Sequence, residues 1–548
     1  MASSSAGNES DALLARVRDP SFTPAFRDLP KLIGLLGTDD EKVATAVERA
    51  VLRIESAKAS RVLEGLVSAS KKAVRPARAR LAQLIGRLAQ KSSDGVARAA
   101  RLWLVAAVGD SDLKTRRAAM RALGNAKLPA GERAPVERAL LDALDKSEND
   151  DDRRTLAVAL GKHGTSAAKE KIAAVVGSAK SPATKRAALI LDREEGRTQT
   201  AAIATTEAAE KPLPIRFHTR EGLERVVLME LDPSWRARIV GPGIVSATLR
   251  GPLGRALAVR TALEVGFLID DIPRDGDLAE SVVSGLTSAK ALSIFSAFTT
   301  PRDMKVRFRL AWARGGHRRA LTWQCAELVR EKTHVLLNDP TRSTWEVIVD
   351  DAGDHLSLEL FPRGFVDERF AYRTETVPAS SHPTIAAALA LVAPRSADDV
   401  VWDPFVGSGA ELVERAKLGP CAMLIGTDTD TRAIERARTN LRAAQVKASL
   451  VRGDATTFEP PRKPTLVLTN PPMGRRVERG QHTDVLSRFL AHASRVLAPG
   501  GALVWMAPEP KRIHAVADRV GLPVEKAFMV DMGGFPAALS LHRRHKTR

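Results

Sequence analysis

Cysteine is nearly absent from this chain. Only two of its 548 residues are cysteines, Cys325 and Cys421, and they lie in what we expect to be different domains. This excludes a disulfide framework and a cysteine-rich zinc site, and it is typical of a reducing compartment. We therefore expect a cytoplasmic protein.

Long hydrophobic runs are also absent. No apolar run approaches the roughly 20 residues that a membrane span needs, and the first ten residues have neither the basic nor the apolar region of a signal peptide. The 11 histidines are scattered, and His542 and His545 belong to a basic tail. The sequence therefore predicts no metal site.

The length and the charge indicate several domains and a polyanionic partner. A chain of 548 residues is too long for one core, and 44% hydrophobic residues are enough for a core in each domain. The net charge is +19, with 36 Lys and Arg against 25 Asp and Glu in residues 1–200, and 16 against 8 in 451–548. Basic surfaces favour nucleic acid. The alternative is that the source organism has many basic, arginine-rich proteins.

The first part of the chain has a helical repeat. Residues 1–24 are expected to form a flexible N-terminus, and residues 25–195 alternate apolar-periodic helices with short polar turns. The turns are predicted at 38–40, 68–70, 109–111, 145–147 and 177–179. Spacings of about 30 to 40 residues are typical of helix-pair solenoids, and this region resembles HEAT-like repeats. A plain helical bundle is the alternative.

A predicted linker, 196–212, leads into an α+β segment, 213–372. Lys305–Trp312 alternates with period two, which indicates a half-buried strand, and 343–350 and 356–360 are candidates for a strand pair. The segment resembles the THUMP module and the ferredoxin-like piece that precede the catalytic domain of some RNA methyltransferases. That resemblance, carried by 219–224 and 337–340, implies RNA binding.

Residues 373–548 have the pattern of a doubly wound α/β domain. Strand and helix patterns alternate from 399 to 520, and a hairpin, 527–532 with 537–542, ends the domain. Such units predict a parallel, Rossmann-like sheet that binds ligands at the carboxyl ends of its strands. With the hairpin the sheet has seven strands, as in class I methyltransferases that use S-adenosylmethionine (SAM).

A glycine loop follows the first of these strands, in the order Asp403, Pro404, Phe405, Val406, Gly407, Ser408, Gly409. The glycines allow a tight turn and close contact with a ligand, and the next helix offers free N–H donors. Such a loop does not separate SAM from NAD. Asp403 favours SAM, because methyltransferases have an acid here that faces the ammonium group of the cofactor. Alternatively, Asp403 and Pro404 only cap the strand.

Two further acids are candidate cofactor ligands. Asp428 ends the next strand about 20 residues on, where a carboxylate accepts from both ribose hydroxyls. Asp430 either takes the place of Asp428 as the ribose ligand or is the N-cap of the following helix, and we prefer Asp428 for the ribose. Asp454 ends the third strand, where methyltransferases have the acid that accepts from the adenine amine.

Asn470, Pro471 and Pro472 form the most specific motif. The lone pair of an exocyclic base amine is conjugated with the ring, and transfer of a methyl group needs that lone pair. The Asn470 side-chain oxygen and the Pro471 carbonyl, held by the prolines, would accept the two amine hydrogens and make the nitrogen more tetrahedral. Methylation at cytosine C5 would need a nucleophilic cysteine, and Cys421 is on the wrong element.

Together, 381–389, 403–409 and 470–476 resemble the THUMP-associated RNA guanine-N2 methyltransferases, which have a UPF0020-type catalytic domain. The resemblance implies SAM as cofactor and guanine N2 in tRNA or rRNA as target, with Asn470, Pro471, Pro472 and Met473 as catalytic residues. The expected cofactor-binding residues are Asp403, Pro404, Phe405, Gly407, Gly409, Asp428, Asp454 and also Asn470. Met473 departs from the family, which has Tyr or Phe there to stack on a flipped base. A contact between a thioether and an aromatic face is favourable by about 0.3–1.5 kcal/mol, so a methionine can still pack against a base.

Two other hypotheses about function stay open. The Asn470 motif also serves DNA methyltransferases and protein-glutamine methyltransferases. The chain could also be a HEAT-type scaffold with an inactive methyltransferase domain, and its helical repeats could bind a protein partner.

Overall fold

The computed structural model describes residues 13–19, 21–165, 168, 170–172, 189–190, 192–193 and 201–545, apart from 275–276, 317, 353–354, 378–379 and 473–480. The predicted turn at 177–179, Met473 and most of the predicted N-terminal segment lie outside these residues. The contacts between Cα atoms divide the chain into two compact units. The first contains residues 1–200 and 319–337, and the second contains 201–318 and 338–548.

The described part of the first unit is helical. Its helices are α1 (Leu29–Leu35), α2 (Glu41–Val51), α3 (Ala59–Lys72), α4 (Ala77–Lys91), α5 (Asp94–Ala107), α6 (Leu113–Asn125), α7 (Ala130–Asp145) and α8 (Asp150–His163). The predicted turns at 38–40, 109–111 and 145–147 lie at the breaks between helices. The turn predicted at 68–70 is wrong, because α3 continues through these residues. The break comes at 73–76, where Pro76 disfavours helix in the residue before it.

Small residues bring alternate helices of this unit close together. A Cβ atom added at Gly86 of α4 would lie 2.5 Å from the Cβ of Ala122 in α6, and one added at Gly124 would lie 2.9 Å from the Cα of Ala159 in α8. Asp152 of α8, 3% exposed, accepts hydrogen bonds from Arg116 and Arg117 of α6. Alternate helices therefore pack through glycine, alanine and ion-pair contacts, while the assignment to HEAT-like repeats stays a prediction.

One helix from the middle of the chain belongs to the same unit. The helix α13 (Arg319–Lys332) was predicted as part of the α+β segment. Within the unit, Arg330 donates from Nε to Asp192 at 2.6 Å, and Arg193 lies over the ring of Trp323. These partners are 130 and 138 residues apart in sequence, which explains why a local pattern did not show this grouping.

The α+β segment forms an eight-stranded mixed sheet and a separate two-stranded sheet. It contains β1 (Ala202–Ile203), β2 (Leu213–His218), α9 (Glu224–Glu230), β3 (Arg238–Gly241), β4 (Ile244–Leu249), α10 (Leu253–Leu257), β5 (Glu264–Ile269), α11 (Leu278–Leu286), α12 (Ala289–Phe298), β6 (Thr299–Thr300), β7 (Val306–Trp312), β8 (Leu336–Asn338), β9 (Trp345–Ala352) and β10 (His355–Pro362). The strand order is β3-β4-β2-β5-β10-β9-β7-β8. The predicted pair β9 and β10 is antiparallel. Residues 202–203 of the predicted linker form β1, which pairs with β6. The identification as a THUMP module stays a prediction.

The predicted seven-stranded sheet is confirmed. Its elements are α14 (Pro383–Val392), β11 (Val400–Asp403), α15 (Ala410–Lys417), β12 (Met423–Asp428), α16 (Thr431–Ala443), β13 (Ser449–Arg452), β14 (Leu466–Thr469), α17 (Gln481–Val496), β15 (Ala502–Pro508), α18 (Pro510–Arg519), β16 (Val524–Asp531) and β17 (Pro536–Arg543). The order is β13-β12-β11-β14-β15-β17-β16. Strands β11 to β15 pair in parallel, and β17 is antiparallel to its neighbours. The carboxyl ends of β11 and β14 are therefore adjacent.

The two parts of the second unit share a core. Leu223 and Val226, from the α+β part, pack in one apolar cluster with Ile385 of α14. Gly222, at a φ of 95°, lies so close to β16 that an added Cβ would meet the carbonyl oxygen of Met529 at 1.6 Å. This contact requires glycine in the segment 219–224, which carried the resemblance to THUMP proteins.

An ion pair also joins the two parts. Arg260 donates to both carboxylate oxygens of Glu414 in α15 at 2.6 and 2.7 Å, and the hydroxyl of Tyr372 donates to the same group. Glu414 is 1% exposed. Because a buried charge that loses its partner is strongly destabilising, this pair holds the α+β part in a fixed position against α15.

The described residues contain neither a single helix that could span a membrane nor a cluster of metal ligands. No single helix there is long and apolar enough to cross a membrane, although the bent pair α11 and α12 passes by length and composition. No group of three or more His, Cys, Asp or Glu side chains in that part of the chain could hold a metal ion.

Candidate functional site

Asp403 lies where the two signature loops meet. It ends β11, and its Oδ1 accepts from the Thr469 hydroxyl at the end of β14 at 2.6 Å and from the Phe405 N–H at 3.2 Å. The side chain is fully buried, and its Oδ2 has no hydrogen-bond partner. Burial and the neighbouring Glu411 carboxylate raise the pKa of Asp403 well above its usual range.

The glycine loop has the conformation that its sequence predicts. Gly407 and Gly409 have φ values of 50° and 83°, which are unfavourable for other residues. The N–H of Gly407 donates to Asp428 Oδ2 at 3.1 Å, so the loop is held to the end of β12. Gly409 is the N-cap of α15, whose N-terminus therefore begins at the loop.

The acids after β12 and β13 have separate roles in the fold. Asp430 is the N-cap of α16, because its Oδ1 accepts from the N–H of Arg432 at 2.9 Å. Asp428 lies before it and accepts from Gly407. Asp454 accepts from the backbone and the hydroxyl of Thr456, both at 2.8 Å, and these hydrogen bonds lower the pKa of Asp454. Of the two roles predicted for Asp430, the structure therefore confirms the N-cap.

A cavity of about 560 Å³ opens at the carboxyl ends of these strands. Its lining includes seven of the predicted site residues: Pro404, Phe405, Gly407, Asp428, Asp454, Asn470 and Pro472. Of the other predicted residues, Gly409 and Pro471 are not among the lining residues, Asp403 is buried, and Met473 lies outside the described residues. The volume is in the range of pockets for small molecules and cofactors, about 300–1,000 Å³.

Asn470 presents a buried acceptor at this cavity. Its Nδ2 donates to Ser381 Oγ at 2.8 Å, while its Oδ1 is buried without a hydrogen-bond partner. The Ser381 hydroxyl in turn donates to Glu411 Oε1. An unpaired buried carbonyl oxygen is unfavourable unless a ligand supplies a donor. Asn470 is therefore ready to accept an N–H.

Sequence reasoning missed seven other polar or charged lining residues: Ser380, Ser381, Ser408, Glu411, Thr429, Thr456 and Arg488. Ser381 was quoted in a motif but given no role. Glu411 lies two residues after the glycine loop, yet nothing in its local sequence shows that it is 3% exposed and close to Asp403. Contacts between distant elements decide these positions.

Comparisons with known proteins agree with this geometry. Residues 371–537 match the family model described as "UPF0020: RMKL-like, methyltransferase domain". This part of the chain is a methyltransferase domain.

Two relatives and one solved structure are similar to the chain. It is 30% identical over 144 residues to the tRNA (guanine(10)-N2)-dimethyltransferase of Methanothermobacter thermautotrophicus, covering 26% of this chain and 42% of the relative. It is 30% identical over 147 residues to the U6 snRNA (guanine-N(2))-methyltransferase THUMPD2 of Bos taurus, covering 26% and 29%. The crystal structure of TrmN from Thermus thermophilus matches with a TM-score of 0.48 and 22% identity, covering 60% of this chain and 99% of that one. The chain thus aligns with less than half the length of either curated relative.

The site residues fit SAM. The unpartnered Oδ2 of Asp403 and the buried Glu411 carboxylate suit a cationic group, which is the ammonium end of the cofactor. Asp428, at the end of β12, and Asp454, after β13, both line the cavity, and their carboxylates can accept hydrogen bonds from the hydroxyl and amine groups of such a cofactor. SAM is therefore the cofactor of this domain.

Replacing Asp428 with alanine is expected to weaken SAM binding by about tenfold or more, since a ribose acceptor and the support of Gly407 are lost. Asp430→Ala removes the N-cap of α16, so we expect about 1 kcal/mol less stability but similar affinity. Isothermal titration calorimetry of the two variants checks this. An equal loss of affinity in both would contradict the assignment of Asp428 to the ribose.

Replacing Asp403 with asparagine is expected to weaken SAM binding but to stabilise the cofactor-free protein at pH 7–8. The pKa of Asp403 is raised in the folded protein, so the folded state binds more protons and loses stability as the pH rises above about 3.9 toward that raised pKa. Asparagine remains neutral and removes this loss. The measurement is Tm between pH 5 and 8.

Asp399→Asn is the matched control for this change. Asp399 accepts from Arg415, which is fully buried, at 2.8 Å. Its loss leaves an unpaired buried cation, which costs about 3–5 kcal/mol. If both variants lowered Tm alike, Asp403 would be a structural ion rather than an unsatisfied ligand group.

Proposed function

We propose that this protein is a SAM-dependent RNA methyltransferase whose target is guanine N2. The observation that carries the proposal is the buried, unpartnered Oδ1 of Asn470 on the wall of the cofactor cavity. A carbonyl oxygen in this position suits a ligand that donates an N–H, and the exocyclic amine of a base is such a ligand.

The residues of the chain would hold and activate the amine. Asn470 Oδ1 accepts one amine hydrogen, and the carbonyl of Pro471 accepts the other. Both contacts draw the nitrogen lone pair out of conjugation with the ring. Pro471 and Pro472 restrict the backbone, so the two acceptors stay in place. Bound SAM supplies an electrophilic methyl group on a sulfonium, and positioning of the amine supplies the remaining rate enhancement without a covalent intermediate.

RNA and guanine N2 are proposed from similarity. Both curated relatives reported above are named guanine-N2 methyltransferases, one of tRNA and one of U6 snRNA. The net charge of +19 is compatible with a nucleic-acid substrate. The alternatives are DNA or protein glutamine as substrate, since the clamp would hold any of these amines, and a scaffold that binds SAM without catalysis.

Asn470→Ala is expected to reduce methyl transfer by at least about a hundredfold and to leave the Kd for SAM within about twofold. The reason is that Oδ1 would contact the target amine and not the cofactor. Transfer of labelled methyl from SAM to total RNA, together with calorimetry, measures both quantities. Asn149→Ala, at an exposed asparagine that is the N-cap of α8 and does not line the cofactor cavity, is the control. Near-full turnover in Asn470→Ala would contradict the amine clamp.

We also propose that the helical first unit adds affinity for RNA. A groove of about 360 Å³ between α6 and α8 is lined by Arg121, Arg154 and Lys162, and the charged residues among its described lining are all basic. Basic side chains at a concave surface suit the phosphate backbone. The HEAT-like character of this unit and a protein partner are not needed for this proposal.

Changing Arg121, Arg154 and Lys162 to alanine is expected to weaken RNA binding and to reduce the slope of log affinity against log salt by roughly 2. Methyl transfer at saturating RNA should not change, because these residues lie outside the methyltransferase domain. The control is the alanine triple variant of Lys71, Lys72 and Lys91, which removes the same charge from other exposed positions. Identical salt slopes for the two triple variants would contradict a role for the groove.

A further inference from the structure

Three polar side chains from different elements form a chain of hydrogen bonds beside the cofactor cavity. Asn470 follows β14, Ser381 precedes α14, and Glu411 lies in the first turn of α15. Asn470 Nδ2 donates to Ser381 Oγ at 2.8 Å, and Ser381 Oγ donates to Glu411 Oε1. All three residues line the cavity. The assignment of the amine clamp to Asn470 and Pro471 does not include Ser381 or Glu411.

The direction of these hydrogen bonds determines how the Asn470 amide is oriented. An ionised carboxylate only accepts, so Glu411 takes the single hydroxyl proton of Ser381. The Ser381 oxygen is then left as an acceptor toward Asn470, and it must face the NH2 group of the amide. The opposite orientation would place two acceptor oxygens against each other. Asn470 Oδ1 is therefore directed away from Ser381, and it is the atom that lacks a partner.

Whether Glu411 is ionised, and so only accepts hydrogen bonds, depends on its surroundings. It is 3% exposed, and Asp403, Glu414 and Arg373 are the charged groups that act on it. Burial raises the pKa of Glu411, and the hydrogen bond from Ser381 opposes that rise. A positively charged cofactor in the cavity would favour the ionised form of Glu411, because a cation stabilises the negative charges of Glu411 and the neighbouring Asp403.

We propose that Ser381 is a positioning residue, which transmits the acceptor character of Glu411 to Asn470 and so aims the Asn470 side-chain oxygen at the target amine. Ser381 does not contact the reacting atoms in this scheme. The inference rests on the proposed function, since it assigns a role to Ser381 in the same amine clamp.

The first test is a split between catalysis and cofactor binding. Ser381→Ala removes the acceptor for Asn470 Nδ2, and a misdirected amide should lower kcat by about tenfold to a hundredfold. The Kd for SAM should stay within about twofold of wild type, and Ser381→Thr, which keeps the hydroxyl, should restore kcat. Ser494→Ala is the matched control, because its hydroxyl also donates a hydrogen bond in this domain but lies away from the cavity.

The second test observes the amide directly and needs no activity. The chain has six asparagines, so side-chain amide signals of the full-length protein labelled with 15N-asparagine are few. The Asn470 signal is identified by its loss in Asn470→Ala. With SAM bound, exchange of its amide hydrogens with solvent should be about tenfold faster in Ser381→Ala than in wild type, and Glu411→Gln should be intermediate.

The outcomes separate the two proposals. Lower kcat with faster amide exchange supports the positioning role. Unchanged kcat in Ser381→Ala, or unchanged amide exchange, overturns it while the proposed function stands. A parallel loss of SAM affinity and kcat with unchanged exchange also overturns it and makes Ser381 a cofactor contact. If wild type transfers no methyl group to RNA, the proposed function fails, and the exchange rates alone decide whether Ser381 orients Asn470.

Discussion

The hydrogen bond between Thr469 and Asp403 is the contact on which the site depends. It joins the ends of β11 and β14, which are neighbours in the sheet although they are 66 residues apart in sequence. Through it the cofactor loop and the Asn470 loop begin at the same edge. The parallel order of the strands produces this contact, because both carboxyl ends must lie on one side of the sheet.

The same contact leaves the site with unsatisfied polar groups. One oxygen of Asp403 is paired with Thr469 and the other has no partner, and one atom of the Asn470 amide is paired with Ser381 while the other has none. The Asp399 carboxylate of the same domain, by contrast, is paired with Arg415. Two orphaned acceptors at one cavity are a local loss of stability, which a cationic cofactor and an amine donor would offset.

The α+β part contributes a fixed frame around this site. Arg260 binds Glu414 of α15, the helix that also carries Glu411, and Gly222 packs against β16. A substrate-binding surface on the α+β part would therefore keep a constant position relative to the cavity.

Most of the methyltransferase domain could be predicted from the sequence because its information is local. Strand and helix patterns, the glycine loop and Asn470 with its prolines each lie within about ten residues, and the bounds predicted for the closing hairpin, 527–532 and 537–542, are within three residues of β16 and β17. The turn at 68–70 failed because polar serines also occur on the exposed face of a helix, and Pro76 is the stronger signal. Ser381 and Glu411 could not be assigned, since their roles come from contacts with partners 89 and 30 residues away.

The most direct test of this account is the identity of the methylated nucleoside. Total RNA is incubated with the wild-type protein and methyl-labelled SAM, then digested to nucleosides and separated by chromatography with mass detection. Genomic DNA and protein are treated in parallel. The account predicts label in N2-methylguanosine from RNA. Label in methylated adenine or cytosine, label confined to DNA or protein, or no label while SAM still binds would contradict it.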